Sequence, residues 1–118
     1  MFPRDVEHLY AKSLEDLYEE LGRAVVTSEF RKPLATREFA VRQGKSFISD
    51  HIDKLKAKVC VDWHYCNKRN DYGNFQALAY AIAPLVSSVV GVPATTAMIV
   101  ALILIKIGLD DLCKCPGA

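Results

Sequence analysis

Between Asp71 and Lys106 no side chain carries a charge. A run of that length has to be kept from water, by the rest of the fold or by lipid, and it constrains this chain more than any other feature. Gly91-Val92-Pro93 divides it. Glycine suits the position just past a helix end and proline the first turn of the next helix, so the run predicts two helices, 74–90 and 93–113, joined by a tight turn. Pro84 is expected to kink the first of them. A membrane-crossing helix needs about 20 mainly apolar residues. The second limb has about 13 before Lys106, although a lysine stem can snorkel toward an interface. Each limb is short for a span, so the expectation is a hairpin packed in protein, with bilayer insertion as the alternative.

The preceding residues read differently. Val6, Tyr10, Leu14, Leu17, Leu21 and Val25 recur at spacings of three and four, the stripe of an amphipathic helix over 5–26. Residues 27–35, with Ser28 and Pro33, read as a connection. A second helix is predicted over 36–60, its stripe running through Ala40, Gly44, Ile48, Ile52 or His51, Leu55 and Val59. Gly44 costs about 1 kcal/mol inside a helix relative to alanine, and its place on the stripe implies close packing against a neighbour. Residues 61–73 have no steady period and read as a loop. The expected fold is therefore all-α: a four-helix bundle-like domain over 1–118, with a charged amphipathic half (1–73) and an apolar hairpin with a cysteine-containing tail (74–118).

Charge follows the same division. The formal net charge of +1 conceals an acidic first helix (Glu15, Asp16, Glu19 and Glu20 among its acids) and a basic segment from Arg31 to Arg69. The two are expected to complement each other inside the fold, because a nucleic-acid domain is usually basic overall. Trp63 and Tyr65 beside Lys68 and Arg69 form the candidate patch for nucleic acid or a lipid interface.

Chemistry is sparsely signalled. An up-down-up-down arrangement brings Cys60, His64 and Cys66 close to Cys113 and Cys115. Such a group suits a tetrahedral zinc site or a disulfide joining helix ends. The C-x3-H-x-C and C-x-C spacings are not the usual finger or ribbon patterns, however. The N-terminus lacks a basic start followed by an apolar run and a small-residue cleavage site. Plain reduced thiols in a cytoplasmic protein are accordingly the leading expectation, with membrane association as the variant. Asp50, His51 and Asp53 read as a polar helix face, since adjacent helix positions do not converge; His8 is treated alike. No phosphate loop, H-E-x-x-H or G-x-S-x-G occurs, and no enzyme, small-molecule substrate or required cofactor is expected.

Small residues Ala79, Ala83, Ser87 and Gly91 repeat every four positions, with Ala97 and Ala101 able to face them. The last helix is apolar on every side, including Ile99 and Ile103, and two striped helices offer little to cover it. Some apolar surface should then remain outside, marking an interface. The expected function is a non-enzymatic interaction or assembly subunit. It would form a homo-oligomer or dock a protein partner through Ala79, Ala83, Ser87, Gly91, Ala97, Ala101, Ile99 and Ile103. The alternatives are a membrane-active effector with an inserting hairpin and a zinc-stabilised nucleic-acid regulator, nucleic acid being the less favoured partner.

Overall fold

The computed structural model describes residues 10–30 and 36–116. Val6 and His8 lie outside them. Among the described residues the chain is all-helical and has no strand.

The first long helix, α1 (Leu14–Phe30), begins later than its stripe suggests. Tyr10 and Ala11 are helical, but the chain breaks at Lys12-Ser13 and restarts with the Ser13 hydroxyl accepting the Asp16 amide at 3.1 Å. A serine cap supplies one of the bonds that the first turn lacks, and Glu15 and Asp16 suit the positive helix end. Helix α2 (Arg37–Lys56) is capped in the same way, Thr36 accepting from Phe39 N at 3.1 Å. Lys54 and Lys56 close its last turn, where cations meet the negative end of the dipole.

Helices α1 and α2 meet at two glycines. A Cβ on Gly22 would fall 1.9 Å from the Ala40 carbonyl oxygen, and one on Gly44 would fall 2.0 Å from that of Tyr18. The backbones touch, so the propensity cost of each glycine is the condition of the contact. Beyond Lys56 the helix widens into a π-helical turn (Ala57–Asp62), with Trp63 N donating to Lys58 O at 2.9 Å. His64, left-handed at φ 61°, stops it. The expected loop 61–73 is therefore built mostly from short helical pieces: α3 (Tyr65–Lys68) and a 3-10 turn (Arg69–Asp71). None is long enough to repeat a period.

Helix α4 (Phe75–Val90) matches its sequence signals. Asn74 accepts from Ala77 N at 2.8 Å, and Gly91 at φ 69° donates to Ser87 O at 3.0 Å. Pro84 is exposed and lies inside the continuous helix. The chain then turns by 114° into α5 (Ala94–Ile107). The predicted last helix, 93–113, stops short at Gly108 (φ 111°), a conformation that favours glycine, and α6 (Leu109–Leu112) follows.

Helix α5 packs against α4 and α1, and α2 packs on α1 and α4. Thr96, Ala97 and every residue from Ile99 to Leu104 are buried. This corrects the expected apolar surplus: the short, steeply crossing α5 is enclosed by its own chain. Ala97 and Ala101 let the neighbouring helices approach, and Leu17, Leu21, Ile82 and Val86 complete one core. Among the described residues the exposed large hydrophobics are only Val61, Tyr80 and Ile107.

Candidate functional site

The C-terminal tail is sewn to the end of α2. Cys60 in the π turn is bonded to Cys113, and Cys66 on α3 is bonded to Cys115. The proximity of these residues was legible in the sequence, but the leading expectation of free thiols is corrected: among the described residues no cysteine is free. Closing the 53-residue separation of Cys60 and Cys113 is worth about 4 kcal/mol of lost unfolded-state entropy. The pairs interleave, so the second bond closes a ring of roughly eight residues and adds about 2.5 kcal/mol.

Polar contacts reinforce the same joint. The buried Tyr65 hydroxyl donates to Asp110 Oδ1 at 2.8 Å, and Arg69 Nη1 pairs with Asp110 Oδ2 at 3.1 Å. Arg69 also donates to Pro116 O at 3.0 Å. Desolvation, followed by the bond to Asp110, pushes the Tyr65 phenol up to about 12. The Tyr65 hydroxyl and then Arg69 hold the Asp110 carboxyl below the usual carboxylate range. Asp110 was missed in the sequence because no local pattern links it to residues 41 and 45 positions earlier.

The candidate aromatic and basic patch therefore divides. Tyr65 and Arg69 face inward to Asp110, while Lys68 Nζ lies 5.3 Å from the Trp63 ring and Tyr72 stands 5.7 Å from it. His64 is exposed, and its carbonyl accepts from Asn67 and Lys68. Among the described residues no group of His, Cys, Asp and Glu side chains is arranged to hold a metal ion. Asp50 and Asp53 are exposed, and His51 Nδ1 lies 2.8 Å from Phe47 O within its own helix.

The basic segment meets the acidic helix at Arg37, which bridges Asp16 at 2.6 Å and Glu19 at 2.8 Å, with Glu15 at 3.4 Å. The Arg37 hydrogen bond holds the Asp16 carboxyl below its ordinary range. Lys45, exposed, lies over the Tyr18 ring at 5.7 Å.

The proposed contact ladder also moves. Ala79, Ala83, Ala97, Ala101, Ile99 and Ile103 are buried between α4, α5 and their neighbours, so they are core and not an outer surface. Ser87 is half-buried and donates to Val92 O at 2.8 Å; Gly91 is the exposed end of α4. The solvent side of α4 is a different set: Ala77, Tyr80, Ala81, Pro84 and Ser88. Tyr80, Pro84 and Ser88 are exposed, Ala77 and Ala81 half-buried, and none carries charge. Both stripes are uncharged and mostly small, so the sequence does not show which of them faces out.

Comparison with protein-family models, with curated proteins and with solved structures finds no match for this chain.

Proposed function

We propose that this protein is a non-enzymatic helical assembly module that pairs with a second copy of itself through the outer face of α4. The observation that carries the reading is the absence of charge across that face, while α1 and α2 turn Arg23, Arg42, Asp50 and Lys54 outward or partly outward. Interface cores are depleted in charged residues relative to the remaining surface. Ala77, Ala81, Pro84 and Ser88 follow one another at intervals of four, three and four residues. That is the seam spacing of paired helices, and small side chains there let two backbones approach. One face meeting its own copy about a two-fold axis closes the assembly without an open end. A single helix pair is a small interface, so the dimer is expected to be concentration-dependent.

A membrane reading has one observation in its favour. No single described helix is long and apolar enough to cross a bilayer, but α4 and α5 together meet the length and composition of a broken span. The enclosure of α5 means insertion would require the core to open.

Light scattering on the eluting protein across a concentration series, with liposome flotation alongside, tests the two together. The assembly reading expects a mass rising from 13.1 kDa toward twice that value and no flotation. A constant monomer mass contradicts it, and flotation of the folded protein transfers support to the membrane reading.

A further inference from the structure

We propose that the Cys60–Cys113 bond is a reversible redox site, opened by a low-molecular-weight thiol while Cys66–Cys115 stays closed. The inference is independent of the α4 face. It starts from where the four cysteines sit. Cys115 is 6% exposed and belongs to the hydrophobic core, and Cys66 and Cys113 pack against that core. Cys60 is half-buried in the π turn and is not among the described residues packed there. Thiol–disulfide exchange requires the incoming thiolate to reach a sulfur, so its rate follows access. The open end of the joint is therefore Cys60, and the protected end is Cys115.

Backbone strain falls on the same joint. The two bonds close residues 60–66 and 113–115 into one ring. Each arm of the ring carries one left-handed residue, His64 at φ 61° and Lys114 at φ 55°. Among the described residues no other non-glycine residue has a positive φ. Helices commonly end on glycine in this conformation, because a Cβ there crowds the following carbonyl. A strained residue persists only where its surroundings fix it, and such residues collect at switches. Here the bonded cysteines on either side fix it. Breaking the outer bond opens the ring and frees both residues to relax, which favours the open state. The inner bond still ties the tail to α3.

The exchange balances with small thiols as reductant. A thiolate attacks Cys60 Sγ, the S–S bond breaks, and Cys113 leaves as a thiolate that takes a proton from solvent. Exposed Lys114 adjoins Cys113, and a cation nearby stabilises the departing thiolate. A second small thiolate attacks the small-molecule sulfur of the mixed disulfide, and Cys60 leaves and is protonated. Two electrons and two protons have then passed from two small thiols, which become a disulfide, to the protein bond.

The test treats the folded full chain with increasing reduced glutathione, traps free thiols by alkylation and locates the labels by peptide mass. Labels are expected at Cys60 and Cys113 at least about tenfold faster than at Cys66 and Cys115. His64→Gly, which removes the strain of one arm, is expected to make the outer bond about fivefold harder to open. A Cys60→Ser/Cys113→Ser double variant is expected to keep Cys66–Cys115 closed at glutathione concentrations that open the outer bond of the parent. Four labels appearing together, or the inner pair labelled first, overturns the proposal. So does loss of the inner bond in the double variant at those concentrations, or an opening equilibrium that His64→Gly leaves unchanged.

Discussion

At the scale of single residues, the tightest constraint is the glycine crossing. Gly44 was readable as a close contact because it sits on an apolar stripe where its helix cost needs a reason. Its counterpart Gly22, also buried, lies beside Leu21 in α1, and nothing in its own helix announces that Ala40 will press against it. Gly44→Ala should gain about 1 kcal/mol in helix propensity. Relieving a 2.0 Å overlap with the Tyr18 carbonyl should cost about 3 kcal/mol or more, since backbone must move. The net expectation is destabilisation of about 2 kcal/mol in urea unfolding; a variant as stable as the parent would show that the helices are farther apart.

Tyr65 offers a second test at this scale, through pH. Its phenol ionises near pH 10 when unfolded and is pushed up to about 12 in the fold, so folding favours the neutral form. The associated stability is present below pH 10 and is lost as pH rises from there toward about 12. Tyr18, also raised by desolvation, adds to the same alkaline loss. Tyr65→Phe should lower stability at neutral pH by about 1 kcal/mol, the ordinary worth of one hydrogen bond, and flatten the alkaline decline. An unchanged slope would mean that the phenol is neither desolvated nor held by Asp110 in the fold.

Among the elements, legibility followed the caps. The sequence predicts α4 over 74–90, and it runs Phe75–Val90 because Asn74 and Gly91 close it by local bonds that a sequence displays. The stripe of the first helix continues across the break at Lys12-Ser13, and periodicity alone does not see a serine cap in mid-pattern. The region after α2 was hidden for the opposite reason: its helical pieces are shorter than any period. The internal ladder of α4 gives a prediction of its own. Ala83 is buried, so Ala83→Leu should cost about 1–3 kcal/mol through overpacking. Unchanged thermal stability would place that residue against solvent.

For the whole molecule, the sequence revealed that the C-terminal third is apolar but not that the chain could cover it. Coverage is a property of crossing angle and helix length: a 14-residue helix turned 114° from its predecessor is shallow enough for α1 and α4 to enclose. The free surface then passes from the hairpin's inner ladder to the outer side of α4. The cysteines show the same division. Topology brought Cys60, Cys66, Cys113 and Cys115 together, whereas their pairing depends on π-turn and tail geometry that no spacing rule contains. Losing both bonds removes about 6–7 kcal/mol, on the order of the entire stability of a small domain. Reduction should therefore lower the melting temperature steeply in a calorimetric scan, and an unchanged transition would show that the polar clamp at Asp110 suffices alone.

The central claim is that the outer face of α4 is the contact surface, and Ser88→Arg tests it most directly. Ser88 is exposed and its hydroxyl donates to Leu85 O within its own turn. The folded chain should tolerate the change within about 0.5 kcal/mol. Light scattering at matched concentrations is predicted to show the parent moving toward a dimer while Ser88→Arg stays at the monomer mass, with equal melting temperatures at dilutions where both are monomeric. A parent that remains monomeric, or a variant that dimerises as the parent does, would contradict the account.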